Sequence, residues 1–434
     1  MRRYIKIIIS AAACLTAAML SSCEKTPQRE LDEDGRTILY IARPADEGDS
    51  YYAGSLKGEV NRLIYEFNKK SETYVIKDKY YESGEKLLLE IMSGRQPDLL
   101  YQSEVCGWVS SAPLYGKGLL CDLNEFIDER GIRDRYVPSV LKAMEVDGKL
   151  YEMPYEFMFA ASMVRAEDWK DDKDVSFEHI IEKSRKLGYA VPVDLTFYSE
   201  SFTPYVCDNF IDYGSGTCSF ESAEFKDYLA FRKQCYDAAA RLAPDGNFYD
   251  MFHNGDALMM PASNSGFWNF EYLTTEYVGE ETKFVGLPSG SSGKEDSVNV
   301  KPTLYFSVFR GAEEAYDFID YATSYEAYKD ENNVNTKGIG LPVNEEVLRY
   351  IAEKYYDQTF PAFGISDEKI KEAFIRETYR MIRSINGAEN RFDSAVNDIL
   401  NEETSAYLDG TKTLEETCGN IQNRVSLYLS EQYR

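Results

Sequence analysis

Residues 37–101 read TILYIARPADEGDSYYAGSLKGEVNRLIYEFNKKSETYVIKDKYYESGEKLLLEIMSGRQPDLLY, and this stretch decides the fold class. Its first six residues are apolar and β-prone and run into a loop rich in Pro, Gly, Asp and Ser, the pattern of a buried strand and the loop leaving its carboxyl end. Val60, Leu63, Ile64 and Phe67 then recur at helical spacing, and residues 73–77 return to β-prone character. A second helix is expected over 85–93, stopped by Gly94, before a short strand at 98–101. Strand, helix, strand, helix, strand calls for a mostly parallel sheet with helices on its faces. In such α/β sheets ligands sit beyond the carboxyl ends of the strands, which here means the loops at 43–50 and 102–108.

Outward from that stretch, the chain has 434 residues with 48 Lys plus Arg against 74 Asp plus Glu, a formal charge of −26. The length suits a large two-lobed molecule. The apolar and charged fractions, 44% and 28%, are those of a globular chain. So acidic a surface argues against nucleic acid as a partner, because phosphates demand a basic face. With only two histidines, His179 and His253, a His-rich metal centre is not expected, and no metal or cofactor is assigned. Residues 289–294 (SGSSGK) lack the spacing of a phosphate loop, and no nucleophile-elbow or zinc-protease motif occurs.

At the amino end, Arg2, Arg3 and Lys6 precede an uncharged run over 7–20, the form of an export signal and shorter than the roughly 20 residues of a membrane span. Leu20, Ser21, Ser22 and Cys23 resemble the lipobox of bacterial lipoproteins. That resemblance implies cleavage before Cys23, lipidation of its thiol and amine (palmitate among the acyl chains), and anchoring on the outer face of the cell membrane or facing a periplasm. Residues 24–36 are polar without apolar periodicity and read as a flexible tether. Cys207 and Cys218 flank a loop with two glycines and could close a disulfide outside the cell, with buried free thiols as the alternative.

Seven further stretches carry a second resemblance: LLLEIMSGRQPDLLY (87–101), GLLCDLNEFID (118–128), DGKLYEMPYEF (147–157), FHNGDALMM (252–260), FVGLPSGSSG (284–293), GIGLPVNEEVL (338–348) and ILNEETSAYLDGTKTLEE (399–416). In this order the chain resembles the carbohydrate-type extracellular solute-binding proteins of ABC importers, the maltose-binding-protein-like family. The resemblance implies an α/β fold of the two-lobed, type II periplasmic-binding kind, with a ligand cleft between lobes. It places the first lobe at 37–154 with 302–343 and the second at 155–301 with 344–434, the chain crossing at Tyr155 and Glu156 and again at 300–302. It also implies a monomeric, noncatalytic receptor that closes on a small solute and hands it to permease subunits in the membrane.

A sugar offers an apolar C–H face and a ring of hydroxyls, so its site needs stacking aromatics and side chains that accept and donate in pairs. On the first lobe the resemblance brings the loop residues Gln102, Ser103 and Glu104 to the cleft, with Trp108 close behind. On the second it brings Asn264, Phe267 and Trp268, of which Trp268 is the leading stacking candidate. Tyr155, Glu156, Tyr198 and Asp46 complete the set. Trp169, in RAEDW at an expected helix start, is assigned to packing, and both histidines to scaffold. Thr413 with Glu416 forms a capping box before a final helix whose stripe Leu414, Cys418, Ile421, Val425 and Tyr428 is core. Two alternatives remain at this level: a surface glycoside hydrolase, since two carboxylates suffice for that chemistry, and the same fold binding a peptide, polyamine or other cation.

Overall fold

The computed structural model describes residues 29–45, 51–103, 109, 111–194, 210–213, 215–243, 251–264, 282–290, 298–328, 340–359, 368–388 and 394–432. The opening stretch folds as its pattern predicts. Strand β1 (Thr37–Pro44) leads to the helix Tyr51–Lys70, β2 (Tyr74–Tyr81), the helix Gly84–Met92 and β3 (Leu99–Ser103). β1 lies between β2 and β3 and is parallel to both. Alternate residues serve opposite faces, which is what a covered parallel sheet requires. Leu39, Ile41, Leu99 and Tyr101 join one buried cluster, while Ala42 and Leu100 join the other.

The later strands complete one mixed sheet. They are β4 (Met153–Arg165), β5 (Val191–Val193), β8 (Ala257–Asn264), β9 (Thr282–Val285), β10 (Val298–Val308), β11 (Leu341–Pro342) and β12 (Ile385–Ala388), with β6 (Ile211–Asp212) and β7 (Thr217–Cys218) forming a separate ribbon. The sheet order is β2-β1-β3-β10-β4-β8-β5, with β9 and β11 also on β4 and β12 on β10. Strands β4 and β10 hold it together, because each pairs with different neighbours along its two halves. Residues 304–308 of β10 face β3, whereas 298–300 face β12. All 13 residues of β4 are buried.

Local signals work as their chemistry dictates. Asp147 (φ 52°) and Gly148 (φ 77°) make the left-handed pair of a tight turn, and the flanking Val146 and Lys149 exchange backbone hydrogen bonds of 2.8 and 3.0 Å. Thr413 and Glu416 form the reciprocal cap, and Cys418, Ile421 and Val425 of the helix Leu414–Gln432 are wholly buried. Trp169 is fully buried, as its packing role requires, but in a turn; the next helix starts only at Phe177.

Two expectations need correction. Residues 29–36 are not free tether. Arg29 ion-pairs with Asp98 and with Glu314 (2.7 Å), and Leu31 bridges Thr37. Arg36, clasped by Asp32 at 2.9 Å, closes the turn. Charges without apolar periodicity can still be tied down by partners distant in sequence. Gln102 and Ser103 are strand rather than loop, because β10 runs alongside and extends the ladder to Tyr305 and Leu304. Among the described residues no helix is long and apolar enough to cross a membrane.

Candidate functional site

The carboxyl ends of β1 and β3 lie side by side, with Ile41 in register with Leu99 and Ala42 with Leu100. The chain after β1 leads to Asp46, and the chain after β3 to Glu104 and Trp108, so both predicted loops start from one edge. Those three residues lie outside the described residues, as do Tyr198, Phe267 and Trp268. At the root of the first loop Arg43 is wholly buried. Its guanidinium donates to Asn61 Oδ1 (2.7 Å) and Asp78 Oδ1 (3.0 Å) and sits over the rings of Tyr80 and Tyr101.

At the root of the second loop is a buried polar network. Gln102 Nε2 donates to Ser111 Oγ and reaches Glu152 Oε1 at 3.5 Å, while Ser111 Oγ donates to the same Glu152 oxygen. The donors are spent on one carboxylate, leaving Gln102 Oε1 with no partner among the described residues. Ser103 Oγ, Thr303 Oγ1 and Ser307 Oγ are equally buried and likewise have no partner among the described residues. A buried polar atom left unpaired costs about 1–3 kcal/mol, and among the described residues such atoms also occur away from these strands, at Ser162, Thr378 and Thr417.

The next rows of the sheet bring in Glu156 and Tyr155. Ser103 pairs with Leu304, Leu304 with Glu156, and Glu156 with Pro342, so Ser103 and Glu156 lie in one row across three strands. Both are buried. Tyr155 is buried too and stacks on Tyr328 with ring centroids 4.6 Å apart. Its hydroxyl donates to Glu59, which Arg62 grips at 2.5 and 3.0 Å. Burial, then the Glu59 charge, hold the Tyr155 phenol well above its ordinary value, so it donates and does not ionise.

From the other side of the sheet, β8 runs antiparallel to β4 and ends at Asn264 opposite Phe159. That is two residues from Phe157, about 7 Å along a strand. β8 therefore ends beside the middle of β4. The structure thus gathers Gln102, Ser103, Tyr155, Glu156 and the backbone of Asn264 around the middle of β4 and β10. Ser111, Glu152, Tyr328 and Arg43 were not anticipated. Glu152 sits between apolar neighbours in a stretch read as scaffold, and no spacing rule marks a carboxylate destined for the interior.

Two cavities lined by described residues lie elsewhere. One of about 300 Å³ is formed by Val137, Ser139, Leu348, Tyr379 and Ile382 among others. The other, about 340 Å³, includes Arg165, Asp168, Tyr189 and His253. Among the described residues no group of three or more His, Cys, Asp or Glu could hold a metal ion. Cys218 is a free thiol whose Sγ lies 3.2 Å from Ser426 Oγ; Cys207 lies outside the described residues.

Comparison with solved structures finds the same fold at low identity. A MalE sugar-binding protein from Xanthomonas citri superposes with a TM-score of 0.55 at 14% identity, over 91% of this chain and 98% of that one. The cyclic α-maltosyl-1,6-maltose binding protein of Arthrobacter globiformis gives 0.54 at 14%, over 92% and 100%. An ABC substrate-binding protein from Listeria monocytogenes, solved with cycloalternan, gives 0.51 at 14%, over 91% and 99%. These relatives in shape are binding proteins, and the fold is accordingly α/β with two lobes. Among curated proteins, none matches. The model of the bacterial extracellular solute-binding proteins matches residues 62–361, well over half of the chain, and the chain belongs to that family.

Proposed function

We propose that this protein is a lipid-anchored, noncatalytic receptor that captures a carbohydrate by lobe closure and delivers it to the permease subunits of an ABC importer. The observation that carries the reading is a buried polar patch on the adjacent strands β3 and β10, whose oxygens have no partner among the described residues, at the root of a loop expected to hold an aromatic. A polyhydroxylated ligand supplies donors and acceptors in pairs and would satisfy such atoms once opening of the lobes gives access. The solved relatives bound to or named for oligosaccharides support the substrate class.

In this reading the first lobe is 37–154 with 302–343 and the second is 155–301 with 344–434. The switch of β10 from β12 to β3 between residues 300 and 304 supports the boundary near 302, and β4 exchanges β11 for β8 a few residues beyond 155, between residues 157 and 159. Gln102, Ser103, Glu104, Trp108 and Asp46 contact ligand from the first lobe, Tyr198, Asn264, Phe267 and Trp268 from the second, and Tyr155 and Glu156 line the crossing. Contacts from both lobes favour the closed state, because only closed geometry satisfies both sets. Cys23, lipidated after removal of residues 1–22, anchors the monomer at the outer membrane face. Isothermal titration against a panel of mono- and oligosaccharides, with the mixtures chromatographed afterwards, tests the reading. Saturable heat with intact glycan is expected. Cleaved glycan, or binding confined to peptides or polyamines, would overturn it.

A further inference from the structure

The amino end of the described chain is fastened to one edge of the sheet. Arg29 ion-pairs with Asp98 and with Glu314 (2.7 Å), and donates to the carbonyl of Gly311 at 2.9 Å. Glu30 is held beside it: its carbonyl accepts from Ile38 N and its carboxylate from the Tyr40 hydroxyl, both at 2.8 Å. Asp98 stands just ahead of β3, and Gly311 just past the end of the antiparallel β10. The clamp therefore lies on the edge where the parallel strands begin, opposite the loops at 43–50 and 102–108.

Chain length turns this clamp into a constraint. Five residues, Glu24 to Gln28, separate Arg29 from Cys23. Six Cα steps span at most about 21 Å, whereas with residues 24–36 all free the reach would be about 48 Å. A lipid on Cys23 thus holds this edge close to the bilayer, and the smaller volume swept raises its effective concentration there by about tenfold.

The same edge carries exposed apolar side chains. The helix Gly84–Met92 joins the parallel strands β2 and β3, so it ends where β3 begins. Its last residue, Met92, is 82% exposed, and Leu31, beside the start of β1, is 61% exposed. The helix Tyr51–Lys70 ends on this edge too, with Lys69 and Lys70 in its last turn, and Glu33 and Asp34 are exposed at the turn before β1. Cations and anions side by side, with apolar groups between, match a zwitterionic headgroup layer of phosphate and ammonium better than a strongly anionic one.

We propose that the Arg29 clamp and its five-residue leash seat this edge, through Leu31 and Met92, on the zwitterionic headgroup layer of the membrane that holds Cys23, with the expected ligand loops turned outward. This rests on the lipid-anchor reading above. The clamp decides which face of the first lobe meets the bilayer, and the apolar side chains supply the contact.

The test is hydroxyl-radical footprinting, read by mass spectrometry, of the mature lipidated protein on vesicles of equal parts phosphatidylethanolamine and phosphatidylcholine, beside a soluble Cys23→Ser form. Met92 reports on the proposed contact, and Tyr80, 51% exposed near the carboxyl end of β2, on the opposite edge. Oxidation of Met92 is expected to fall about threefold or more on vesicles, with Tyr80 unchanged. A Gly–Ser insertion after Gln28 that triples the leash, and separately Arg29→Ala, should each restore most of the lost oxidation while saccharide binding stays intact. Protein that carries no acyl mass on Cys23 and does not float with vesicles would sink the anchor, and this posture with it. Floating protein whose Met92 is unprotected, whose Tyr80 is protected as strongly, or whose protection survives either change would sink the posture alone. So would protection of Met92 in the soluble form as its concentration rises, which would assign the face to a second copy of the chain.

Discussion

Two buried polar clusters in this molecule are built to opposite rules. At the far end of the chain, Glu403 is almost wholly buried between the helices Ser394–Leu408 and Leu414–Gln432, and three side-chain donors serve it. Lys412 and Asn420 (3.1 Å) share one oxygen, and Arg424 donates to the other at 2.8 Å. Burial pushes this carboxyl up, but those three donors outweigh it and hold it below the usual range. At the crossing, by contrast, Gln102 Oε1, Ser103 Oγ, Thr303 Oγ1 and Ser307 Oγ are buried with no partner among the described residues. The first cluster has spent its hydrogen-bonding capacity on the fold. The second leaves hydrogen-bonding capacity unspent among the described residues, which is costly for stability and is what the proposed site would draw on.

That contrast breaks if both clusters respond alike to mutation. Glu403→Ala strips a carboxylate from three donors and should cost about 3 kcal/mol in urea unfolding, with saccharide affinity unchanged. An equal loss of affinity would mean that the C-terminal helices serve the site as well.

Acid protonates satisfied carboxylates last, and the stability they contribute goes with their charge. Asp172 is opposed by burial but held down to about 2 by Lys183 and His179, and Glu403 is lowered as well. Depressed folded values mean that their stabilisation is present above the unfolded pKa, near 4, and is lost as pH falls through the folded one. For Asp172 this amounts to at most about 2 kcal/mol, lost between roughly pH 4 and 2. Asp172→Asn should flatten that part of the stability curve; an unchanged slope would remove the pair from the account.

Gln102→Met discards an unpartnered carbonyl for a side chain of similar length. Because the amide that serves Ser111 and Glu152 is lost with it, stability should fall by about 1–3 kcal/mol, while saccharide affinity falls about tenfold, or 1.4 kcal/mol. Destabilisation without loss of binding would place Gln102 with Glu403 as scaffold. The smallest effect belongs to the surface: Thr413→Ala loses the cap on Glu416 N and should cost about 1 kcal/mol, with nothing changed at the crossing.

What could be read in advance follows the range of the forces involved. The β1–β2–β3 unit, the Asp147–Gly148 turn, the Thr413–Glu416 box and the buried Cys418–Ile421–Val425 stripe depend on residues a few positions apart, and local chemistry is written in order along the chain. The candidate site was legible only as a set of loops and strand ends: Gln102 and Ser103 were anticipated, but as loop, because nothing at residue 102 announces that residue 305 will lie beside it.

Sequence by itself determined the α/β class, the export signal's pattern, the caps and turns and the membership suggested by seven ordered motifs. Tertiary structure alone decided that Arg29 is clamped to Asp98 and that Gln102, Ser111 and Glu152 share one buried network. The reason is physical. Burial and pairing between residues distant in the chain are set by the packing of whole layers, and a residue's own neighbours in sequence carry no record of which partner those layers will bring.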